Sequence, residues 1–330
     1  MRRSLLSLAV LGATALTALG ASGCGSDDAG SASASASGGG GGVTLRVGYI
    51  GTAGGFNGPE GYANSTGKLL EWLKPAGVTA VKPVEFANGP LATQALVGGS
   101  LDLIIAGDTP QLIAKAQGVP ARALLQNRTG IDAWLIARKG GPKDVAALAG
   151  KKVARQQASF QDRYLQGLLA ERGLTGKPTL TAMLNPAAIT ALRSGSLDAA
   201  AIAVVQAKPL ADDGFPVLDR SDDHPELQGT SITTIATKFD EAHPDVAKAW
   251  IDAHAKSVQL ARSAPDAYYA YDAKAQGISP DVGKAWSPLD SYPTTPWTAG
   301  GTKQLQGTLD FLVKQKLAKP FALSSWGVGS

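Results

Sequence analysis

Residues 84–116, VEFANGPLATQALVGGSLDLIIAGDTPQLIAKA, decide the fold. Val84-Glu85-Phe86 is a short extended run that Asn88-Gly89-Pro90 breaks. Over residues 91–97 the apolar spacing is helical, with Leu91, Ala95 and Leu96 on one side, and Gly98-Gly99 ends the helix. Residues 101–106 form an apolar strand interrupted only by Asp102. Gly107-Asp108-Thr109-Pro110 then opens a second helix, with Asp108 and Thr109 suited to a cap and Pro110 to a first turn. Both strands thus end in a glycine-containing turn that passes straight into a helix. In open α/β sheets, ligands sit beyond the carboxyl ends of strands, where such turns gather. The first N–H groups of a helix lack partners and its dipole adds a positive end, so two such turns suit an anion. The same turns also suit plain, well-capped helices.

Upstream, residues 45–50 (LRVGYI) read as a buried strand leading into the glycine-rich loop 51–59. That loop lacks the spacing of a dinucleotide site, and no acidic residue closes a second strand as that fingerprint requires. It instead lets backbone approach a small ligand, with Phe56 as a wall and Asn57 beside it. Residues 60–75 read as a helix with Leu69, Leu70, Trp72 and Leu73 on its core face. Downstream, strands are expected at 122–126, 133–137, 152–154, 180–184, 198–205 and 232–236. Helices fill the intervals 160–172 and 186–192, and the remainder is helical apart from the proline-rich stretch 287–297. Gln157-Ala158-Ser159 is a third turn that opens a helix, and Arg163 lies one turn further on.

At the N-terminus, Arg2 and Arg3 precede an apolar run over residues 5–21 and the small residues Ala21-Ser22-Gly23. A charged start, an apolar centre and small residues before a cleavage point make residues 1–23 a secretory signal. Cys24, the single cysteine of the chain, follows directly, in an arrangement that resembles the bacterial lipobox. The resemblance implies lipid on Cys24 as the first mature residue, although alanine stands where leucine is usual. Residues 24–42 are mostly glycine, serine and alanine, and read as a flexible tether. No later segment has the apolar length needed to span a bilayer.

About 290 residues remain from residue 43 onward, enough for two lobes with their own cores. Without Arg2 and Arg3, 29 basic residues stand against 27 acidic ones. With no basic run and no basic patch interleaved with aromatics, nucleic acid is excluded as a partner class. His224, His243 and His254 show no metal-ligand spacing, and no cofactor motif is present.

Five segments taken in order carry a resemblance. VEFANGPLATQAL, GSLDLIIAGDTP, GPKDVAALAGKKVA, GSLDAAAI and KFDEAHPDVAKAW are similar to the soluble receptors of bacterial importers for aliphatic sulfonates, taurine and nitrate. FLVKQKLAKP resembles that family's C-terminal end. The resemblance implies an α/β fold of the two-lobed periplasmic-binding-protein type (type II), with two crossover strands and a ligand cleft between lobes. The crossovers are expected near 121–126 and 232–238. Lobe I is then 43–126 with 238–330, and lobe II is 127–237. It also implies an extracytoplasmic, monomeric binding protein, lipid-anchored to the membrane, that hands a small anion to an ABC transporter permease. Pyrimidine-precursor synthases of thiamine biosynthesis share the fold, but resemble enzymes that depend on a cysteine-rich motif, which this chain lacks. A surface scaffold with no transport role is the other alternative.

The candidate ligand contacts are Phe56 and Asn57, the turns Asn88-Gly89-Pro90, Gly107-Asp108-Thr109 and Gln157-Ala158-Ser159, and Gln206. Backbone N–H groups and the Thr109 and Ser159 hydroxyls are expected to donate to the anion. Arg163 either clamps it bidentately or pairs on the surface with Asp162 or Glu171. Glu60 either faces the cleft, favouring a ligand with an amine, or merely complements the dipole of its helix. Trp286 and Trp297 read as core or lid. Where the family often carries aromatic residues and aspartate, this chain has Val204-Val205-Gln206, which implies a different ligand tail.

Overall fold

The computed structural model describes residues 42–51 and 53–329. The secretory signal, Cys24 and the tether up to residue 41 lie outside the described residues. The chain opens with β1 (Val43–Ile50), α1 (Gly58–Ser65), α2 (Lys68–Leu73), β2 (Val78–Phe86) and α3 (Gly89–Val97). It continues with β3 (Leu103–Gly107), α4 (Asp108–Ala116) and β4 (Ala121–Ile131). A second group follows: β5 (Ala133–Ala137), β6 (Lys152–Arg155), α5 (Phe160–Glu171), β7 (Thr179–Ala182) and α6 (Asn185–Ser194). It ends with β8 (Ala199–Ala203), α7 (Val204–Asp212) and β9 (Val217–Arg220). After β10 (Gly229–Ala236) come α8 (Thr237–Ala242), α9 (Pro244–Ser263), α10 (Pro265–Gln276), α11 (Pro280–Trp286) and α12 (Ala299–Lys314).

These strands make two five-stranded mixed sheets, ordered β2-β1-β3-β10-β4 and β7-β6-β8-β5-β9. In the first, β1 lies parallel to β2 and β3, and β10 runs antiparallel to both β3 and β4. In the second, β6 lies parallel to β7 and β8, while β5 is antiparallel to β8 and β9. The chain leaves the first sheet along β4 and returns along β10. These two strands pair from Ala121 opposite Ala236 to Ile131 opposite Gly229, so both passages between sheets run side by side.

Alternation explains the cores. In β5, Leu135 and Ile136 point to opposite faces and both are fully buried. Leu135 joins Tyr164, Leu165 and Leu168 of α5, and Ile136 joins Leu192 of α6 and Leu210 of α7. β8, alanine except for Ile202, is buried along its whole length, which lets helices approach both of its faces. Around the first sheet, Leu45, Val47 and Leu103 pack on Trp250 of α9, itself fully buried.

Three local expectations change. The 60–75 stretch is two helices, because Gly67 takes a left-handed conformation (φ 74°) between them. The strand expected to reach residue 205 ends at Ala203, and Val204 starts α7, which tolerates Pro209 inside it. β9 is short and only partly buried, so it shows no apolar run by which to find it.

Candidate functional site

A cleft of about 270 Å³ lies between the strand ends of the two sheets. Ile50 and Gly51 after β1, and Ala106 and Gly107 ending β3, form one side of it. Gln156 and Ser159 after β6, Leu184 after β7, and Ala203 ending β8 form the other. Residues of the C-terminal helices and of the segment after α11 close it, among them Gln276, Trp286 and Tyr292.

Arg128 is the one basic side chain among the described residues lining this cleft. It is 6% exposed and sits on β4, the strand that leaves the first sheet. Its Nη1 donates to Ser287 Oγ at 2.6 Å, and Ser287 Oγ is 3.1 Å from the Tyr292 hydroxyl. Its guanidinium lies over Trp286, 4.2 Å from the ring centroid. Nε and Nη2 are buried and have no partner among the described residues. These two donors share one edge of the fork, the edge that meets two oxygens of a carboxylate or sulfonate side by side. Burial of a cation with unpaired donors is costly, and an acceptor oxygen at that edge would lower the cost.

Glu60 is the one acidic side chain among the described lining residues, and it is 3% exposed. It sits in the first turn of α1 and also lines the cleft. Its Oε1 accepts from Asn127 Nδ2 at 2.6 Å and lies 2.7 Å from His254 Nδ1. His254 Nε2 lies 2.9 Å from the Pro293 carbonyl, so both ring nitrogens face oxygen atoms. Burial raises the Glu60 carboxyl, but the charge and hydrogen bond of His254, with the bond from Asn127, outweigh it. The net result holds Glu60 below its ordinary range. Thr233 Oγ1 donates to Asn127 Oδ1 at 2.7 Å, which fixes the amide that orients Glu60.

Of the residues picked from the sequence, Phe56, Asn57, Gly89, Gly107, Ser159 and Gln206 line the cleft. Asn57 Nδ2 donates to Ile50 O at 2.9 Å, which ties its loop to the end of β1. Asn185 Nδ2 donates to Gln206 Oε1 at 2.6 Å, leaving the Gln206 amide nitrogen for a ligand. Asn88 caps α3 by accepting from Leu91 N at 3.0 Å, and Pro90 lies in that helix's first turn; neither lines the cleft. Gly89 is required where it stands, since a Cβ there would meet Pro110 Cγ at 2.4 Å.

Asp108 and Thr109 are turned inward and do not line the cleft. Thr109 Oγ1 donates to Asp108 Oδ1 at 2.9 Å, while Asp108 Oδ2 accepts from the Thr230 and Thr308 hydroxyls, both at 3.1 Å. Neither side chain caps α4; Gly107 holds the cap position without a side-chain bond. Around the third turn, Gln157 is exposed and Gln156 takes its place in the lining. Ala158 adopts a left-handed conformation (φ 57°) and its N–H donates to Asp162 Oδ2 at 2.9 Å. Ser159 caps α5, accepting from Asp162 N at 3.3 Å and donating its proton to Gln156 O at 2.5 Å. The Thr109 and Ser159 hydroxyls are therefore spent inside the protein rather than offered to a ligand. Arg163 is neither clamp nor surface partner. It is 1% exposed and donates to the carbonyls of Glu226 (2.9 Å), Leu227 (3.0 Å) and Gln228. Burial lowers its pKa, against the opposing charges of Asp108 and Glu226.

Sequence reasoning missed Arg128, Gln161 and the pairing of Glu60 with His254; Trp286, read as core or lid, lines the cleft. Gln161, 3% exposed in the first turn of α5, lines the cleft with an unpartnered Oε1. A signal existed for Arg128: Gln126-Asn127-Arg128-Thr129 is a polar run within a strand, and polar side chains buried in a strand demand partners. Away from the cleft, Glu171, His224 and Glu226 bring ligand atoms within 4.8 Å of one another. There His224 is already paired, at 3.1 Å to Glu171 and 3.1 Å to Asp219.

The family described as NMT1/THI5 like matches residues 66–268, well over half of this chain. The chain belongs to that family. A protein of Escherichia coli (strain K12) named for binding aliphatic sulfonates is 34% identical over 138 residues, 41% of this chain and 43% of its own. A similarly named protein of Bacillus subtilis (strain 168) is 29% identical over 169 residues, 50% of this chain and 51% of its own. The chain thus spans about half the length of the curated relatives it matches. The solved structure of the alkanesulfonate-binding protein SsuA from Xanthomonas axonopodis pv. citri, bound to MOPS, is 25% identical. It superposes with a TM-score of 0.72 over 86% of this chain and 97% of that one. The two-lobed α/β architecture is that of periplasmic binding proteins.

Proposed function

We propose that this protein is an extracytoplasmic solute-binding lipoprotein. It captures a small anion of the sulfonate, taurine or nitrate class and delivers it to an ABC permease. One observation carries the reading: Arg128, a buried side chain of the cleft lining, keeps two donors on one edge of its guanidinium without a partner among the described residues. The relatives' names favour sulfonate within that class. The Gln206 amide nitrogen adds a donor from the wall of the second sheet. Two neighbouring crossover strands, β4 and β10, suit hinge closure, which removes water from the cleft and strengthens each charged hydrogen bond. The segment Ala21-Ser22-Gly23-Cys24 supports lipid on Cys24, which keeps the receptor beside its permease.

Isothermal calorimetry with alkanesulfonates, taurine and nitrate tests this reading, together with small-angle scattering. A bound anion with a decrease in the radius of gyration is the expected result. Silence across the panel, or binding of neutral analogues with equal affinity, overturns it.

A further inference from the structure

Resting on the extracytoplasmic, membrane-anchored part of the reading above, we infer that the end of the second sheet remote from the cleft docks on an anionic lipid surface. Five unpaired lysines gathered there meet the lipid phosphates.

Strand direction collects the charge. β6, β7 and β8 run parallel toward the cleft, which Gln156, Leu184 and Ala203 line at their carboxyl ends, so their first residues lie at the opposite end. β5 runs the other way and delivers Arg138 and Lys139 to that same end. Lys143 follows a turn in which Gly141 N donates to the Arg138 carbonyl at 3.0 Å. Lys151 precedes β6 and Lys152 opens it; the Lys151 carbonyl accepts from Thr179 N at 2.8 Å. Lys177 lies beside them, its carbonyl accepting from Gly150 N at 3.0 Å. Residues 138–152, RKGGPKDVAALAGKK, thus hold five cations and one acid, and Lys177 adds a sixth cation.

The acids nearby are already committed. Asp198 takes Arg138 Nε at 3.1 Å and the backbone N–H of Lys152 at 2.9 Å. Asp144 accepts from Ala147 N at 2.8 Å, and Asp213 holds Arg193 at 2.6 Å. Glu171, at the end of α5, faces His224 at 3.1 Å. Lys139, Lys143, Lys151, Lys152 and Lys177 are exposed, and none of them makes an ion pair among the described residues. Lys139 rests on Phe215, its Nζ 5.1 Å from the ring centroid.

From residue 43 onward there are 29 basic residues (31 less Arg2 and Arg3) and 25 acidic ones (27 less Asp27 and Asp28). That excess of four equals the six cations of this pole less Asp144 and Asp198, so elsewhere the charges balance in number. Crowded like charges repel one another, and an anionic surface relieves that repulsion.

A lipid surface is the anionic partner within reach. Cys24 precedes Val43 by 19 positions, so even a fully extended chain keeps the domain within about 65 Å of the bilayer that an anchor on Cys24 enters. Lysines spread over several loops act as point charges and suit an array of headgroups without fixed register. Each one near such a surface favours association roughly fivefold. The cleft lies at the other end of the strands, so docking here leaves ligand access open.

The test is sedimentation with vesicles of phosphatidylcholine alone, or of equal parts phosphatidylcholine and phosphatidylglycerol. The protein is residues 24–330 with Cys24→Ala, so that no acyl chain contributes. One variant adds Lys143→Glu, Lys151→Glu and Lys177→Glu. A second adds Lys303→Glu, Lys314→Glu and Lys319→Glu, exposed positions on and after α12 that change the net charge equally. The parent protein should bind only the phosphatidylglycerol vesicles, and should leave them at about 1 M salt, where the screening length is about 3 Å. The first variant should partition at least about 100-fold less, while the second keeps its binding. Equal loss in both variants, binding to phosphatidylcholine alone, or binding to neither vesicle overturns the inference. None of those results touches the anion reading, which calorimetry of the same protein with sulfonates decides separately.

Discussion

The guanidinium carbon of Arg128 lies 4.2 Å from the ring centroid of Trp286, and its Nη1 bonds the hydroxyl of the next residue, Ser287. A strand that leaves the first sheet is thereby fastened to the segment after α11. Attraction to the ring quadrupole offsets part of the cost of keeping the cation dry. The stack also holds the guanidinium plane still, so the free edge points one way before any ligand arrives. Pre-organisation of this kind lowers the entropy lost on binding.

Charge and fork geometry at Arg128 separate in two variants. Arg128→Gln should cost about 2–5 kcal/mol of anion affinity, the loss expected when one partner of a buried charge pair is removed. Arg128→Lys keeps the charge but loses the paired donors, and should fall between the two. Calorimetry with the tightest sulfonate gives the order. Equal affinity for all three forms would remove Arg128 from the site.

Thr109→Ala should leave ligand affinity unchanged. Its hydroxyl donates to the buried Asp108 carboxylate, so the loss appears in stability, about 1.5–3 kcal/mol for a bond to a charged acceptor. Thermal unfolding without ligand and calorimetry with it distinguish the two effects. A weakened affinity at unchanged melting temperature would place Thr109 in the cleft.

The Glu60–His254 pair makes the fold acid-sensitive. The folded state holds the Glu60 pKa below its ordinary 4.5, so the pair's stabilisation is fully present above that value. It is lost as pH falls through the depressed folded value. Glu60→Gln should flatten the acid limb of the melting curve against pH. His254→Ala leaves Glu60 buried without its counter-charge and should cost about 3–5 kcal/mol near neutrality. A Glu60→Gln profile that follows the unchanged protein would deny the pair its role.

Gly61→Ala should disturb both stability and binding. A Cβ on Gly61 would stand 1.8 Å from the Phe56 carbonyl oxygen, which also accepts from the Tyr271 hydroxyl at 2.6 Å. Backbone must move, at about 1–3 kcal/mol, and Phe56 moves with it out of the cleft wall. Weaker binding that persists well below the melting temperature would show the effect on the site.

Cys24→Ala should release the protein from membranes without altering affinity, because every contact in the cleft lies beyond residue 48. Cell fractionation decides it. Membrane retention of the variant would count against lipid on Cys24.

The sequence by itself determined the alternation of strands and helices, because apolar period and glycine-containing turns are local properties. From residues 84–116 it yields β3, α3 and α4, and it places Gly89 and Gly107 at strand ends beside the cleft. Asn88, read from the sequence as a ligand contact, instead caps α3. Where the chain's own neighbours decide a conformation, the residues alone suffice. The direction of a polar side chain is a different kind of fact. Thr109 and Ser159 stand at helix starts as expected, yet their protons go to Asp108 and Gln156, partners chosen by packing. Arg163 reads in sequence as a clamp or a surface partner and is enclosed by carbonyls sixty-odd residues away. Arg128, Trp286, Glu60 and His254 meet only because β4 and the C-terminal helices converge on one cleft, across separations of 158 and 194 positions. No periodicity encodes such encounters. Tertiary structure alone decided which cation would be left with two donors and no partner.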